Sequence, residues 1–321
     1  MLTLFTTAKS FVGHSGIIQC NALQSWTRLH HDVEVILFGD EEGAADAANN
    51  LGLRHEARVE RHPSGLKYIN YMFSRAQQIA RHEIVCYVNC DIILTPDFCN
   101  AVQIVGGAHA SFLMIGRRWD TAIVKPIDFA APRWSDEIRQ LARETKDQRD
   151  GWWIDYFCFT RNLYKQIPAF VIGRVHWDNW LVWKALHSGV AVIDASNSVV
   201  AVHQNHGYSY HPQGQAGVWT DPLSRRNLAL AGGIWHQSTI LDATEKLNPN
   251  GLLKPNWARS WHAAERTSLL LYGRVKRALT YDLWLPIWHF CLGMSRPIRM
   301  RLGLRSELFR RQKDSSGDER R

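Results

Sequence analysis

The sequence predicts an α/β fold with a mainly parallel, mixed central sheet and flanking helices. Strand and helix patterns alternate through roughly the first two hundred of the 321 residues. Helical segments of roughly ten to fifteen residues between strands are typical of βαβ units. The apolar run from Ile84 to Leu94 is broken only by Asn89 and Asp91. Such a run indicates a strand that is buried on both faces at the centre of the sheet.

Each element follows from a periodicity or a turn signal. β-branched and apolar runs predict strands, apolar spacings of three to four predict helices, and Gly or Pro marks the ends. Ser135, followed by two acidic residues, is expected to cap a polar helix. The predicted strands cover residues 2–7, 33–38, 54–59, 83–94, 190–194 and 198–202. The predicted helices cover residues 16–29, 44–51, a segment from the 63–65 turn to residue 80, 135–146, a short segment after residue 178, and 257–280.

The chain divides into a domain at residues 1–235 and a helical extension with a basic tail at residues 236–321. The extension contains the apolar, Trp-containing segment 283–294, which is too short to span a bilayer. Tryptophans beside an Arg-rich tail are typical of a segment that lies in an anionic membrane surface. A helix packed on the first domain, followed by a solvated tail, explains the pattern equally well.

Composition excludes several classes of protein. A hydrophobic content of 45% is enough for a large core, so the chain is not disordered. Of the net charge of +8, +5 lies at residues 296–321, so the body is only mildly basic and we expect no nucleic-acid partner. Six cysteines without a CxxC pair indicate a reducing compartment. With no signal-peptide pattern and no 18-residue apolar stretch, we expect a cytoplasmic protein, peripheral to the membrane at most.

The most informative residue is Asp91, because it interrupts the buried run near its end. In open α/β sheets the carboxyl edge of the strands is where ligands bind. A carboxylate there is well placed to hold a divalent cation. The alternative is a polar strand end that caps the turn to Pro96.

A second informative stretch places Asp178 before a short helix and among aromatic residues that include Trp177. Asp is a favoured N-cap residue, which gives a purely structural interpretation. Aromatic faces also hold the apolar faces of sugar rings, and a carboxylate among them can accept a proton from a hydroxyl. One residue can serve both roles. The run from Trp153 to Asp155 adds aromatic wall, and Asp155 is either a sugar-binding group or the edge of a core strand.

Histidines follow the last predicted strand of the first domain. His203 and His206 could bind a metal through a neutral ring nitrogen, and His211 is a third candidate. No fourth ligand stands at zinc-finger spacing, so a structural zinc site is disfavoured. An open site of Asp91, one histidine and a diphosphate suits Mn²⁺ or Mg²⁺ better.

The order of these features resembles the nucleotide-diphospho-sugar glycosyltransferases of the GT-A fold over roughly residues 1–230. The resemblance is carried by the stretches Phe5-Thr6-Thr7-Ala8-Lys9, Phe38-Gly39-Asp40, Asn89-Cys90-Asp91, Trp177-Asp178-Asn179-Trp180 and the late His203. Asn89-Cys90-Asp91 stands where that family has its metal-binding DxD triplet. The neutral Asn89 departs from that pattern and weakens the electrostatic hold on a metal.

The resemblance implies a metal-dependent transfer of a sugar from a nucleotide-diphosphate donor to a hydroxyl of a glycan or lipid-linked acceptor, with inversion. It implies that Asp178 is the catalytic base and that Asp91 and His203 bind Mn²⁺ or Mg²⁺. The implied donor-binding residues are Thr6, Thr7, Lys9, Asp40, Asn89 and Asp91, with Asn89 facing the ribose and Asp40 the base. From the aromatic and polar residues themselves, the expected acceptor or sugar contacts are Trp153, Asp155, Trp177 and His206.

Three other functions remain open at this stage. A carbohydrate-binding protein without activity would explain fourteen tryptophans but would not need Asp91 or Asp178. A sugar-nucleotide pyrophosphorylase would share the sheet, but it should have an early Gly-rich loop, and residues 7–11 contain no glycine. A zinc-dependent hydrolase would need three ligands close in space, which the sequence does not test.

Overall fold

The computed structural model describes residues 1–207 and 214–278, with the side chains of residues 215 and 273–278 left undescribed. Its strands are β1 (Leu2–Thr7), β2 (Val33–Phe38), β3 (Arg54–Glu56), β4 (Ile84–Val88), β5 (Ile92–Leu94), β6 (Phe112–Ile115), β7 (Arg118–Thr121), β8 (Tyr156–Thr160), β9 (Ala191–Asp194), β10 (Ala201–Gln204), β11 (Glu245–Leu247) and β12 (Leu253–Pro255). Its α-helices are α1 (Gly13–Thr27), α2 (Ala44–Leu51), α3 (Ile69–Ile79), α4 (Asp97–Ala108), α5 (Trp134–Thr145), α6 (Trp177–His187), α7 (Gly214–Thr220), α8 (Pro222–Leu230) and α9 (Arg259–Ala278).

Among the described residues, nine strands form one sheet in the order β12-β11-β9-β6-β8-β4-β1-β2-β3. Strands β3, β2, β1 and β4 run parallel, as do β6, β9 and β11. Strand β8 lies antiparallel between β4 and β6, and β12 is antiparallel to β11. The predicted fold class, a mainly parallel but mixed sheet with flanking helices, is therefore confirmed.

Helices cover both faces of this sheet. Leu2 and Leu4 of β1 pack with Trp26 of α1 in one buried cluster. Phe5 points to the opposite face and packs with Phe73 of α3, whose ring centroid lies 5.0 Å away. Because side chains alternate between two buried faces, all six residues of the strand are buried and each is apolar or threonine.

The predicted single strand at 83–94 is wrong in one respect. The chain leaves the large sheet after Val88 and begins a second strand at Ile92, with Asn89 and Asp91 in the turn between them. Strand β5 belongs to a second sheet in the order β5-β10-β7. The polar residues mark the crossing because they cannot be buried in either sheet without partners. Antiparallel pairing of β5 with β10 sets His203 opposite Ile92, directly after Asp91.

Several other boundaries differ from the prediction. Helix α1 begins three residues early, β3 ends at Glu56, and β10 lies later than the predicted 198–202 strand. Helix α5 begins at Trp134, so Ser135 lies inside the helix and does not cap it. Most of these differences fall at element ends, where local signals are weakest.

The first compact unit spans Met1–Asn256, beyond the predicted boundary at residue 235, because β11 and β12 continue the large sheet. The second unit begins at Trp257, and its described part contains α9. None of the helices in the described ranges is both long and apolar enough to cross a membrane. The apolar segment 283–294 and the basic tail lie outside the described residues.

Candidate active site

A cavity of about 430 Å³ opens where the parallel strands β1 and β4 end. This is the carboxyl edge at which open α/β sheets bind ligands. The cavity brings together residues that are up to about two hundred positions apart in the chain. Its lining includes ten of the residues predicted from sequence: Thr7, Lys9, Asn89, Asp91, Trp153, Asp155, Trp177, Asp178, His203 and His206.

One carboxylate and two imidazoles meet on one wall. Ligand atoms of Asp91, His203 and His206 all lie within 4.8 Å of one another, close enough to hold one metal ion. His206 Nε2 donates to Asp91 Oδ2 at 2.9 Å, and His203 Nε2 lies 3.8 Å from the same oxygen. His206, predicted as an acceptor contact, thus lies among the atoms that could bind a cation. His211 lies outside the described residues.

The electrostatics of Asp91 favour its charged form. Burial opposes ionisation, but the hydrogen bond from His206 and the charges of His203 and Arg118 outweigh it and hold the pKa of Asp91 well below its usual range. The contact with Asp91 in turn raises the pKa of His206. Asp91 Oδ1 is buried and has no hydrogen-bond partner among the described residues. A buried carboxylate oxygen without a partner is costly, and a bound cation would satisfy it.

Behind these ligand atoms lies a network around a buried guanidinium. Arg118 Nε donates to Asp120 Oδ1 at 2.8 Å, and Arg118 Nη1 lies 3.0 and 3.1 Å from the two oxygens of Asp155. His203 Nδ1 lies 3.2 Å from Asp120 Oδ1. Burial lowers the pKa of Arg118, but its two carboxylate partners raise it by more, so the guanidinium stays charged.

Asn89 is held by protein groups. Its Oδ1 accepts from the Tyr87 hydroxyl at 2.9 Å, and its Nδ2 donates to Asp155 Oδ1 at 2.7 Å. The predicted ribose contact of Asn89 stays a prediction. The backbone N–H of Asn89 also donates to the Asp155 carbonyl at 2.9 Å. Together these hydrogen bonds fix the position of the turn between β4 and β5.

Asp178 lies in the first turn of α6, where a carboxylate is favoured by the helix dipole. The alternative interpretation, that Asp178 is the N-cap residue, does not hold, since the N-cap position is His176, which adopts a left-handed backbone with φ of 87°. Asp178 Oδ1 is buried and makes no hydrogen bond within the described part of the chain. Burial, with a smaller contribution from the charge of Asp155, raises the pKa of Asp178 to about 6.

The two predicted aromatic residues differ in exposure. Trp177 is almost fully buried and packs edge-to-face on Tyr87 with ring centroids 5.4 Å apart, so it is largely a core residue that shows one edge to the cavity. Trp153 is half-buried and lies beneath Arg118, whose Cζ is 4.9 Å from the ring centroid. Trp153 therefore supports the buried guanidinium as well as forming part of the cavity wall.

Two of the predicted donor-binding residues, Thr6 and Asp40, are replaced in the cavity wall by two charged residues. Thr6 is fully buried and Asp40 is paired with Arg61 at 2.5 Å in an exposed position, and neither lines the cavity. Glu41 and Lys67 line it instead, with Lys67 Nζ 2.5 Å from Glu41 Oε1. Glu41 Oε2 is buried without a partner in residues 1–207 and 214–278.

Sequence reasoning missed Arg118, Asp120, Glu41 and Lys67. Arg118 and Asp120 are two residues apart, so their side chains lie on one face of a strand, but no strand at β7 is predicted from the sequence. Glu41 and Lys67 gave no comparable signal. One stands in an acidic turn and the other follows a Gly-containing turn, where charged residues are ordinary.

No protein-family model matches the chain, and neither does any curated protein. Among solved structures, glucosyl-3-phosphoglycerate synthase from Mycobacterium tuberculosis with Mn²⁺, UDP-glucose and phosphoglyceric acid is 14% identical, with a TM-score of 0.44 over 73% of this chain and 80% of that one. Its complex with Mg²⁺ and UDP is 14% identical, with a TM-score of 0.43 over 72% and 77%. TarS 1–349 from S. aureus with UDP-GlcNAc is 13% identical, with a TM-score of 0.43 over 64% and 58%. Similarities at this level do not assign the chain to a family.

Proposed function

We propose that this protein is a GT-A type glycosyltransferase that moves a sugar from a nucleoside-diphosphate donor to a hydroxyl acceptor. The observation that carries the proposal is that two functional groups line the same cavity. A cation-binding set, Asp91 with His203 and His206, shares the cavity with Asp178, a carboxyl group whose pKa is raised to about 6 and whose Oδ1 has no partner among the described residues. A binding protein would need neither group.

Asp178 supplies the base. A carboxylate with a pKa near 6 is mostly ionised at pH 7 and more basic than an ordinary aspartate, which suits it to remove a proton from an acceptor hydroxyl. As the proton passes to Asp178, the acceptor oxygen forms a bond to the anomeric carbon. The bond from that carbon to the phosphate oxygen breaks, and its electron pair leaves with the nucleoside diphosphate. A single displacement of this kind inverts the anomeric centre.

Asp91, His203 and His206 fit a divalent cation. One anionic oxygen and two imidazole nitrogens suit Mn²⁺ better than Mg²⁺, which prefers oxygen ligands. A bound cation would stabilise the negative charge that develops on the diphosphate leaving group. The unpartnered Oδ1 of Asp91 is the group in this chain that such an ion would complete.

The nucleoside is proposed to lie towards Glu41 and Lys67. Glu41 Oε2 is an acceptor in a buried position, and it suits an N–H group on the edge of a nucleobase. Asp40, the predicted base contact, is paired with Arg61 and does not line the cavity. Thr7 and Lys9 also line the cavity, and Lys67 Nζ donates to the carbonyl of Ala8 between them at 3.1 Å, so we propose that the diphosphate passes beside these residues.

The acceptor side is proposed to use the aromatic wall at Trp153 and the edge of Trp177. Asp155 supports the site indirectly, since both of its carboxylate oxygens are held by Arg118 and one also accepts from Asn89.

We also propose that the C-terminal extension binds an anionic membrane surface, which would bring the enzyme to a lipid-linked acceptor. This rests on the basic residues at 296–321 beside the Trp-containing segment 283–294.

A thermal-shift titration tests the function. UDP and GDP should each be added with and without Mn²⁺, and at about 100 times its dissociation constant a bound nucleotide stabilises by about 2.7 kcal/mol. We expect stabilisation by at least one nucleotide only when Mn²⁺ is present. Release of nucleoside diphosphate from UDP- or GDP-sugars then separates an enzyme from a binding protein. Absence of any metal-dependent shift would contradict the donor site.

A further inference from the structure

Arg118 contacts both sheets at the cavity. It lies in β7 of the small sheet, where β7 pairs with β10 and sets Asp120 beside His203. Asp155 directly precedes β8 of the large sheet, and β8 pairs with β4, which leads into Asn89. Of the two halves of the cation-binding set, Asp91 lies in the turn that connects β4 of the large sheet to β5 of the small sheet, and His203 lies on β10 of the small sheet.

Each half is held from behind by a carboxylate. The Asp155 carboxylate accepts from the side-chain amide of Asn89 at 2.7 Å, and the Asp155 backbone carbonyl accepts from the Asn89 N–H at 2.9 Å, so residue 155 fixes the turn that presents Asp91. Asp120 Oδ1 lies 3.2 Å from Nδ1 of His203; this is a charge contact, since Nδ1 has no hydrogen-bond partner among the described residues. A carboxylate placed behind a metal-binding histidine favours one orientation of the ring.

One guanidinium joins the two carboxylates. Arg118 reaches Asp120 through Nε and both oxygens of Asp155 through Nη1, at 2.8 to 3.1 Å, with 6% of the residue exposed. The planar fork of arginine suits such a bridge, whereas lysine carries one point charge on a flexible stem. Trp153 covers the guanidinium face at 4.9 Å and limits its movement.

We propose that Arg118 is the positioning residue that aligns the two halves of the cation site, by holding Asp120 behind His203 and Asp155 behind the Asn89–Asp91 turn. This inference rests on the proposed cation site. It assigns to Arg118 no contact with the ion itself. Its consequence is that the affinity for a divalent cation depends on the bridge and not only on the positive charge at this position.

The test is a Mn²⁺ titration of the full chain without nucleotide, followed by the EPR signal of free Mn²⁺. Arg118→Lys keeps the charge and removes the fork, and we expect about 10- to 100-fold weaker Mn²⁺ binding, as is typical when such supporting partners are lost. Arg149→Lys is the matched control. Arg149 also donates to Asp120, at 2.6 Å, but its side chain is 43% exposed and it is not among the partners of Asp155. This variant should bind Mn²⁺ nearly as wild type does.

Removing one partner from a buried ionic network can be strongly destabilising, so Arg118→Lys could fail to fold. A second variant keeps the inference testable in that case. Asp120→Asn keeps the size of the side chain and can still accept from Arg118, but it no longer presents a carboxylate to His203. We expect it to weaken Mn²⁺ binding as well. Wild-type affinity in a folded Arg118→Lys or in Asp120→Asn, or equal losses in Arg118→Lys and Arg149→Lys, would overturn the inference. A wild-type protein that binds no Mn²⁺ would remove the cation site itself and the inference with it.

Discussion

His206 Nε2 lies 2.9 Å from Asp91 Oδ2, although 115 residues separate the two in the chain. The contact leaves the other oxygen of Asp91 buried and without a described partner. Strands β4, β5 and β10 create this arrangement, because β5 continues the chain from Asp91 and pairs with β10, which leads to His206. The pair defines the wall on which we expect a cation to bind, and the predictions below begin there.

Asp91→Asn should abolish the Mn²⁺-dependent part of nucleotide stabilisation. The amide keeps the size of the side chain but loses the negative charge that a divalent cation requires. Thermal shift with UDP or GDP, with and without Mn²⁺, measures the effect. Asp46→Asn, at an exposed position of α2, should respond to nucleotide and Mn²⁺ as wild type does. An unchanged Mn²⁺ effect in Asp91→Asn would show that the ligand lies elsewhere.

Asp178→Asn should lower sugar transfer by about a hundredfold or more, because an amide cannot accept the acceptor proton. Nucleotide affinity should stay near wild type. The wild-type rate should fall about tenfold per pH unit below pH 6, where the carboxyl group is protonated, and the variant's residual rate should lack this limb. Transfer measured against pH in both proteins is the experiment. Full activity in the variant would assign the base to another residue.

The raised pKa of Asp178 also predicts a change in stability. Folding raises this pKa to about 6 from a usual value near 3.8, so the folded state holds the charged form at a cost. The cost develops as pH rises from about 4 to 6 and is fully present above pH 6. Asp178→Asn should therefore raise the melting temperature at pH 7.5 and leave it nearly unchanged at pH 4. A gain that does not depend on pH would argue for a packing effect instead.

Gly39→Ala should damage the nucleoside end of the cavity. Gly39 has φ of 113°, and a Cβ there would lie 2.3 Å from Glu41 Oε2 and 2.8 Å from Lys67 Nζ. Gly52, with φ of 64°, offers a matched control because an added Cβ meets no atom within 4 Å in the described part of the chain. Gly52→Ala should cost only the backbone strain, about 1 kcal/mol, with nucleotide affinity unchanged. Gly39→Ala should lose both stability and affinity, as measured by denaturation and nucleotide titration; equal effects in the two variants would contradict this role.

Deletion of residues 283–321 should release the protein from anionic liposomes while nucleotide binding survives. Binding of the full chain should weaken as salt rises, because basic residues and anionic lipid are screened. Co-sedimentation with anionic and with neutral vesicles gives the comparison. A truncated protein that no longer folds would favour the alternative in which this segment packs as a helix on the rest of the chain.

Much of the fold could be predicted from short windows of sequence. The bounds of β1, β2 and α2 match the prediction residue for residue, because apolar and β-branched residues make up both strands apart from Glu34 and the short helix ends sharply at Gly52. Asp91 was found for the same reason, since a carboxylate in an apolar run has few structural explanations. Asp178 was found by its aromatic surroundings.

The roles of residues whose contacts depend on how the two sheets pack together could not be predicted from the sequence. Nothing in the sequence links Arg118 to Asp155 or places His206 against Asp91, because those contacts exist only once β7 and β10 form their own sheet beside the large one. The same holds for Asp40 and Glu41, adjacent residues of which only Glu41 lines the cavity. Sequence alone determined which segments are buried, since burial is read from local apolar periodicity. The tertiary structure decided which charges face one another, since distance and direction between segments are set by packing and not by spacing along the chain.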